Sequence, residues 1–372
     1  MKLSVVGGPG YIDRSFSMDT DKLFGLTGRN TGNLVFWYAF NMHVQAIRKE
    51  YFAFNFSEQA VDAINKTDAL VFIFANHVNK AMDLGHLVPR LERVEVPIIA
   101  IGLGAQSRLG EDIDWLPEGS VKFFQLLSSK TKQIGVRGEF TQNVLRQHGI
   151  ENTVVLGCIS NFLVDKLEGK IVSFDPDSTK YARIGLNNDL IESLQPLNEM
   201  VSQLFPRSML DFIVQAPVEL LHLARNELGK VSPEYMSRLE KIAKPFAAGG
   251  FSEREIFDRL YAFYDARAWF EHVRRYDLTL GSRMHGNMVS FQAGVPTIFV
   301  PHDSRTDELA RTMELPRFEL SECRSTSSPK ELFQKVEFDV TRYFSRRREL
   351  KGRYISLLHD GGLKPSKFLE SL

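Results

Sequence analysis

Short apolar runs that end in glycine or a polar residue recur through the first half of this 372-residue chain, each before a helix-like segment. Runs without polar–apolar alternation are typical of strands buried on both faces, as in a parallel sheet. The pattern therefore predicts a doubly wound α/β domain over residues 1–165. The runs are KLSVVGG, ALVFIFAN, VPIIAIGLGAQ, TKQIGV and NTVVLG.

The second half repeats this alternation of strand and helix patterns. The strand patterns are ARIGLNN, DFIVQAP, DLTLG and PTIFVP, and the long helical patterns are SPEYMSRLEKIAKPFAAGG and SEREIFDRLYAFYDARAWFEHVRRY, with Ser232 and Ser252 as candidate N-caps. Open α/β sheets bind ligands beyond the carboxyl ends of their strands, so two facing domains would form a ligand cleft. The expected fold is α/β, with two Rossmann-like domains at 1–165 and 166–330 and a helical tail at 331–372.

Charge and cysteine content narrow the class of protein. The 46 basic and 46 acidic residues give a formal net charge of zero, so nothing favours nucleic acid as a partner. Two distant cysteines, Cys158 and Cys323, fit a reducing compartment. No signal peptide is expected at MKLSVVGGPGY, and the longest apolar run, ALVFIFA, is far shorter than the roughly 20 residues of a membrane-spanning helix. We expect a cytoplasmic protein, with peripheral contact at the inner face of a membrane left open.

The tail has apolar residues at helical spacing and arginines between them. Packing against the domains with a solvated basic face is the favoured interpretation. The alternative is contact between anionic lipid headgroups and the basic residues Arg346, Arg347, Arg348 and Arg353.

The segment GSRMHG places Arg283 and His285 at a turn from a strand to a helix. The guanidinium of Arg283 suits a phosphate or carboxylate, and His285 can donate to an anion or move a proton near neutral pH. Gly281 and Gly286 permit close backbone approach, and the following helix directs free N–H groups to the same place. The pattern predicts an anion site, although a capped turn is the structural alternative.

Other chemistries find less support. His285, His302 and Asp303 do not complete a metal site, since such sites usually need three or four supported ligands. No GxSxG element indicates a serine hydrolase, no glycine motif completes a dinucleotide fingerprint, and no local sequence supports a pair of Cys158 with a histidine.

Three further segments hold candidate ligand-binding residues. Arg137 lies between a strand and a helix in IGVRGEFT, where it could bind a phosphate or carboxylate. Gly104 in IGLGAQ could bring backbone N–H groups to an anion. In GRNTGN, Asn30 or Thr31 could cap the next helix, or the loop with Asn33 could bind a polar ligand.

The stretch GSRMHGNMVSFQAGVPTIFVPHDSRTDELARTMELP resembles the C-terminal signature of the polysaccharide pyruvyl transferase family. That signature has R-x-H-G after a strand, a small-residue helix, G-x-P, a second strand and Asp-x-Lys/Arg, here Asp303 and Arg305. NTGN, IGLGAQ and GVRGEFTQNVLRQHG resemble N-terminal elements of the family. The chain departs from the pattern at Asn33, where an acidic residue is common, at FIFANHVNK and at GCISNFL, and these departures concern the acceptor more than the donor.

The resemblance implies a fold like that of GT-B glycosyltransferases and transfer of a pyruvyl group from phosphoenolpyruvate to two hydroxyls of a sugar, which forms a cyclic ketal. The acceptor would be a polysaccharide or its lipid-linked precursor, and no metal or organic cofactor is expected. The alternatives are a GT-B-like glycosyltransferase that uses a nucleotide sugar and a non-catalytic saccharide-binding homologue.

The resemblance also implies roles for individual residues. Arg283 and His285 would be catalytic, and neither side chain is expected to fill the core. The donor-binding set would be Arg137, Ser282, Gly286, Arg305 and Gly104. The acceptor-binding set would be Asn30, Asn33, Asn76 and His77. Either His77 or Asp13 could be the general base, while the acceptor sugar, the ketal stereochemistry and the oligomeric state stay open.

Overall fold

Two parallel sheets organise the protein, as the sequence predicts. The computed structural model describes residues 1–165, 167, 183–188, 190–205 and 209–372, and the domain boundary predicted at residue 166 lies outside them. Helices alternate with the strands of both sheets, so each half has a Rossmann-like arrangement.

The first sheet contains six parallel strands in the order β3-β1-β4-β5-β6-β7. Every residue of the central strand β4 is buried, which explains its unbroken apolar run. The edge strand β3 has the polar sequence RKEYF, and its pattern was not recognised as a strand in the sequence. The elements are β1 (Lys2–Val6), α1 (Thr20–Leu26), α2 (Asn33–His43), β2 (Val44–Gln45), β3 (Arg48–Phe52), α3 (Glu58–Ile64), β4 (Ala69–Ile73), α4 (Val88–Glu92), β5 (Ile98–Leu103), α5 (Glu118–Lys130), β6 (Ile134–Val136), α6 (Glu139–Gln147) and β7 (Thr153–Val155).

The second sheet contains five parallel strands in the order β10-β9-β8-β11-β12. Its central strands β8 and β11 are buried along most or all of their length, like β4 of the first sheet. The elements are β8 (Arg183–Asn187), α7 (Gln195–Leu204), β9 (Met209–Ile213), α8 (Val218–Ala224), α9 (Pro233–Ala248), α10 (Glu253–Phe257), β10 (Leu260–Tyr261), α11 (Ala266–Val273), β11 (Leu278–Gly281), α12 (Met284–Gln292), β12 (Thr297–Phe299), α13 (Ser304–Thr312) and α14 (Pro329–Lys335).

The long helical pattern that begins at Ser252 is interrupted in the structure. Ser252 caps α10 as predicted, and Ser232 caps α9. However, Leu260 and Tyr261 form β10, which pairs with β9 at the edge of the second sheet. Asp265 then accepts a hydrogen bond from the backbone N–H of Arg267 and starts α11. Pairing at a sheet edge overrode the local helical periodicity, so the prediction of one long helix was wrong.

The tail folds back onto the first domain. Helix α15 (Val340–Asp360) buries Tyr343, Leu350 and Tyr354, among others, and β13 (Lys364–Pro365) pairs antiparallel with β2 before α16 (Lys367–Ser371). Burying each such side chain is worth about 1.5–3 kcal/mol relative to leaving it exposed.

The tail arginines are largely used within the protein. Arg347 is buried and donates to the carbonyls of Asn161 and Val164 at 2.9 and 2.8 Å. Arg346 donates to the carbonyl of Thr312 at 2.9 Å, and Arg353 pairs with Glu349. These bonds direct three of the four arginines to protein partners, as the packed interpretation of the tail expects. Across the described residues, none of the helices combines the length and apolar character of a membrane span.

Candidate active site

The turn between β11 and α12 meets the conditions for an anion site. Gly281 ends β11 at φ 148°, and a Cβ there would lie 2.0 Å from the carbonyl oxygen of Asn187, so a larger residue would not fit. Arg283 occupies the N-cap position of α12, and its side chain makes no capping hydrogen bond. The first-turn N–H groups of an α-helix have no acceptor within the helix, so those of α12 can bind an anion.

His285 lies in the first turn of α12 and is buried, with 8% of its surface exposed. Its ring centroid is 4.9 Å from that of Phe36, which lies on α2 of the first domain. The expectation that this side chain stays outside the core was therefore wrong. Burial lowers the pKa of His285 well below its usual value, and the charges of Arg137, Arg305 and Arg283 lower it further. The imidazole is consequently neutral near pH 7.

Arg137 brings a buried cation to the same place from the end of β6. Its Nε–H donates to the carbonyl of Gly102 at 3.0 Å, and its guanidinium lies 5.7 Å from the ring centroid of Phe36. A Cβ on Gly104 would lie 2.6 Å from Cδ of Arg137. The backbone N–H of Gly104 already donates to the carbonyl of Ala75 at 2.8 Å. Gly104 therefore makes room for Arg137, and its N–H group is not available to an anion as the sequence suggested.

Arg305 enters the site from the first turn of α13. Its guanidinium lies 3.1 Å from Oδ2 of Asp303, and its buried Nε has no hydrogen-bond partner within the described ranges. Burial opposes ionisation of Asp303, but Arg305, His302 and hydrogen bonds from Thr306 outweigh it and lower the pKa of this carboxyl. Asp303 also caps α13 by accepting from the N–H of Thr306 at 2.8 Å. The same carboxylate therefore fixes the start of the helix and pairs with the guanidinium of Arg305.

A second carboxyl near Arg137 joins the two domains. Glu308 of α13 accepts hydrogen bonds from the N–H and the hydroxyl of Thr141 in α6, at 2.6 and 2.8 Å. Burial raises the pKa of Glu308 to about 7, although the bonds from Thr141 and the charge of Arg137 oppose this rise. Glu308 is therefore only partly ionised near neutral pH and compensates the charge of Arg137 only in part.

Two cavities lie between the domains at this point. Most of the side chains that line the small one, of about 20 Å³, are polar or cationic. These are Asn30, Asn33, Asn76, Arg137, Gln215, Arg283, His285 and Arg305. A larger cavity of about 880 Å³ shares Arg283 and Arg305 with the small one, and aromatic residues of the first domain line it, including Trp37, Tyr51 and Phe54. The site therefore combines a compact cationic space with a wide, aromatic one.

Comparison with known proteins decides the family. The sequence model of the polysaccharide pyruvyl transferase family matches residues 30–304, more than half of the chain. The protein belongs to the polysaccharide pyruvyl transferase family. No curated protein matches the chain. The matched range includes Arg137, Arg283 and His285, and Arg305 follows it directly.

Solved structures resemble this pyruvyl transferase family member at low identity. Anabaena HepE in complex with UDP and glucose has a TM-score of 0.48 and 9% identity, with 97% of each chain covered. Staphylococcus aureus MnaA in complex with UDP has a TM-score of 0.44 and 10% identity, with 96% of each chain covered. UDP-GlcNAc 2-epimerase from Neisseria meningitidis, bound to UDP-GlcNAc, has a TM-score of 0.42 and 11% identity, with 96% of this chain and 100% of that chain covered.

Only some of the remaining candidate residues of this pyruvyl transferase family member line the cavities. Asn30, Asn33 and Asn76 line both cavities. Oδ1 of Asn30 accepts from the N–H of Gly32 at 2.8 Å, and Gly32, which has no side chain, is the N-cap of α2. Of the two open interpretations of this loop, Asn30 or Thr31 at the N-cap position is therefore not the one that the structure shows.

Ser282 does not join the other donor-site candidates. Its buried hydroxyl donates to Oδ1 of Asn188 at 3.2 Å, and its side chain lines neither cavity. Its neighbour in the motif, Gly286, lies against the site instead. A Cβ on Gly286 would lie 2.1 Å from Oδ1 of Asn187 and 2.7 Å from Nε2 of Gln215. Gly286 therefore makes room for two polar side chains.

His77 lines the larger cavity as a hydrogen-bond donor. Its Nδ1 accepts from the N–H of Ala75 at 3.0 Å, so the hydrogen of the neutral ring is on Nε2. Burial, and then the charge of Arg137, lowers the pKa of His77 to about 3. This arrangement argues against His77 as the general base. Asp13, the other candidate for that role, is exposed and lines the larger cavity.

Sequence reasoning missed Gln215 and the position of Cys158. Gln215 follows β9 and is 1% exposed, and its Nε2 has no hydrogen-bond partner in the described part of the chain. Its side chain passes between Gly32 and Gly286, which have no Cβ to block it. The only signal was a glutamine directly after the buried strand pattern DFIV.

Among the described residues, no group of three or more His, Cys, Asp and Glu could hold a metal ion.

Proposed function

We propose that this protein transfers a pyruvyl group from phosphoenolpyruvate to two hydroxyls of a saccharide and forms a cyclic ketal. The observation that carries the proposal is the convergence of Arg137, Arg283 and Arg305 on His285. All three arginines are close enough to lower the pKa of this imidazole. Such a concentration of positive charge suits a small anion with more than one negative charge. Phosphoenolpyruvate has both a phosphate and a carboxylate, and guanidinium groups bind both in a bidentate manner.

Donor binding changes the electrostatics of the site. The bound anion offsets the charges that disfavour protonation of His285, so its pKa rises when the donor is present. The first-turn N–H groups of α12 add a second, fixed source of positive potential at the same place. Binding of the donor therefore favours the protonated form of His285, the residue proposed to act on it.

Ketal formation has three requirements that these residues can meet. The methylene carbon of the donor gains a proton, a sugar hydroxyl attacks C2, and phosphate leaves before the second hydroxyl closes the ring. In this proposal His285 delivers a proton or donates to the departing phosphate, and the arginines stabilise the charge on that phosphate. Asp13 is the remaining candidate to accept a hydroxyl proton.

The larger cavity suits the saccharide acceptor. Its volume of about 880 Å³ exceeds the needs of the donor, and Trp37, Tyr51 and Phe54 offer apolar faces. Asn33 and Asn76 supply amide groups for hydroxyls beside the cationic space. We propose that the acceptor is a polysaccharide unit or its lipid-linked precursor and that transfer takes place in the cytoplasm.

Thermal stability in the presence of candidate ligands should separate the possible functions. A ligand at 100 times its Kd adds about 2.7 kcal/mol to the free energy of unfolding. We expect phosphoenolpyruvate to raise the melting temperature more than equimolar phosphate, and a UDP-sugar to have little effect. Mass spectrometry should then detect a ketal on a test saccharide. A rise in melting temperature with UDP-sugars alone would favour a glycosyltransferase. A rise with saccharide alone would favour a non-catalytic binding protein.

Gln215 provides a second test because its Nε2 has no hydrogen-bond partner among the residues that the structure describes. Gln215→Met keeps the side-chain volume and removes the unsatisfied amide, so the melting temperature should stay the same or rise. Affinity for phosphoenolpyruvate, measured by calorimetry, should fall by about 1.5–3 kcal/mol, the range for a hydrogen bond to a charged group. Gln203→Met, at an exposed position in α7, is the matched control. Unchanged donor affinity in Gln215→Met would remove Gln215 from the donor site.

A further inference from the structure

Cys158 lies against the imidazole of His285 although the two residues are 127 positions apart. Its Sγ is 3.5 Å from Nε2 of His285, and only 3% of the residue is exposed. The hydroxyl of Ser160 donates to the same sulfur at 3.0 Å. The thiol therefore has two polar neighbours inside a buried part of the site.

The hydrogen bonds around the sulfur restrict where its own hydrogen can point. Ser160 uses the sulfur as an acceptor, so the S–H hydrogen is left for a different partner. Nε2 of His285 is within the distance of a hydrogen bond that involves sulfur. Burial keeps the imidazole neutral, and the positive charges of Arg137, Arg305 and Arg283 add to this effect. A neutral imidazole has one bare nitrogen, which can accept the thiol hydrogen.

We propose that the thiol of Cys158 donates to Nε2 of His285 and thereby holds the ring in the tautomer with hydrogen on Nδ1. Cys158 is then a positioning residue, since it acts on substrate only through His285. If the proposed function holds, Nδ1–H is the group that faces the anionic donor, and a neutral ring can already donate to it. The arrangement follows the general rule that the partner of one ring nitrogen decides which nitrogen is available for chemistry.

The tautomer can be measured without any ligand. Nitrogen chemical shifts of ¹⁵N-histidine-labelled protein distinguish the two neutral forms, and the signals of His285 are those lost in His285→Asn. We expect hydrogen on Nδ1 in the wild type and in Cys158→Ser, which keeps a donor. Cys158→Ala should give the other tautomer or a mixture. Cys323→Ala, at the other buried cysteine, is the matched control and should match the wild type.

Two results would overturn the proposal. One is hydrogen on Nε2 in the wild type, which would mean that the ring donates to the sulfur. The other is hydrogen on Nδ1 in both the wild type and Cys158→Ala, which would mean that another group sets the tautomer. The wild-type measurement tests the donor assignment even if Cys158→Ala does not fold.

Kinetics supply a second readout that depends on the proposed function. In Cys158→Ala, kcat should fall by roughly 10- to 100-fold, by analogy with the loss of a group that orients a metal-binding histidine. KM for phosphoenolpyruvate should change little, and Cys158→Ser should restore part of kcat. Wild-type kcat in Cys158→Ala would show that the thiol has no part in turnover. If neither the wild type nor any variant forms a ketal, the proposed function is wrong. The tautomer measurement still tests the role of Cys158, because it does not depend on turnover.

Discussion

Replacing His285 with alanine should lower the rate of ketal formation by roughly 10²–10⁴-fold, the contribution of a well-placed proton-transfer group. The loss should be in kcat, because three arginines still hold the donor. Alanine also removes the buried contact with Phe36, so His285→Gln, which keeps more of the side-chain volume, should accompany it. Steady-state kinetics at saturating phosphoenolpyruvate would measure the effect in both variants.

A control separates this loss from a general effect of removing a histidine. His359→Ala changes an exposed residue at the end of α15 and should keep wild-type kcat. Circular dichroism should show that all three variants are folded. Wild-type turnover in folded His285→Ala would place the chemistry elsewhere and reduce the R-x-H-G turn to a structural element.

The turn that contains Arg283 and His285 could be predicted because its signal is local. An apolar run, a glycine, two cationic residues and a helix follow each other within a few positions, and parallel strands place their carboxyl ends at the cleft. Arg137 was found for the same reason, since it directly follows a strand. Local order along the chain was enough to place Arg137 and Arg283 at the carboxyl ends of strands, whereas Arg305 was identified only through the resemblance of Asp303 and Arg305 to the Asp-x-Lys/Arg element of the family.

Contacts between distant segments could not be predicted in this way. The pairing of Cys158 with His285 depends on how α12 packs against the segment after β7, and no local pattern encodes that packing. Gln215 was passed over because a single glutamine after a strand is common, and its unsatisfied amide is visible only in the folded protein.

Two of the expected donor-binding groups are not available to a ligand, because each already makes a hydrogen bond within the protein. The N–H of Gly104 is bonded to Ala75, and the hydroxyl of Ser282 is bonded to Asn188. Which group is already satisfied is a property of the tertiary structure, because buried polar groups take whatever partner the packing offers. Residue type and spacing alone therefore overestimate the number of ligand-binding groups.

Replacing Arg283 with alanine should weaken binding of phosphoenolpyruvate by about 2–5 kcal/mol, the cost of leaving a desolvated charge without its partner. The site keeps Arg137 and Arg305, so donor binding should be reduced and not abolished. Arg283→Lys retains the charge but not the planar pair of donors, and we expect an intermediate affinity. Removing one of three cations should also let the pKa of His285 rise in the free protein, because Arg283 is one of the charges that lower it.

Calorimetric titration with phosphoenolpyruvate would measure these affinities, and nitrogen shifts of His285 against pH would measure the pKa. Arg348→Ala, at an exposed position on α15, removes the same charge from the protein as a whole and should alter neither quantity. Its inclusion distinguishes a local contact from a change in net charge. Donor affinity in Arg283→Ala equal to that of Arg348→Ala would contradict a phosphoenolpyruvate site at this turn. A rise in the pKa of His285 without any loss of affinity would mean that Arg283 acts on the ring and not on the donor.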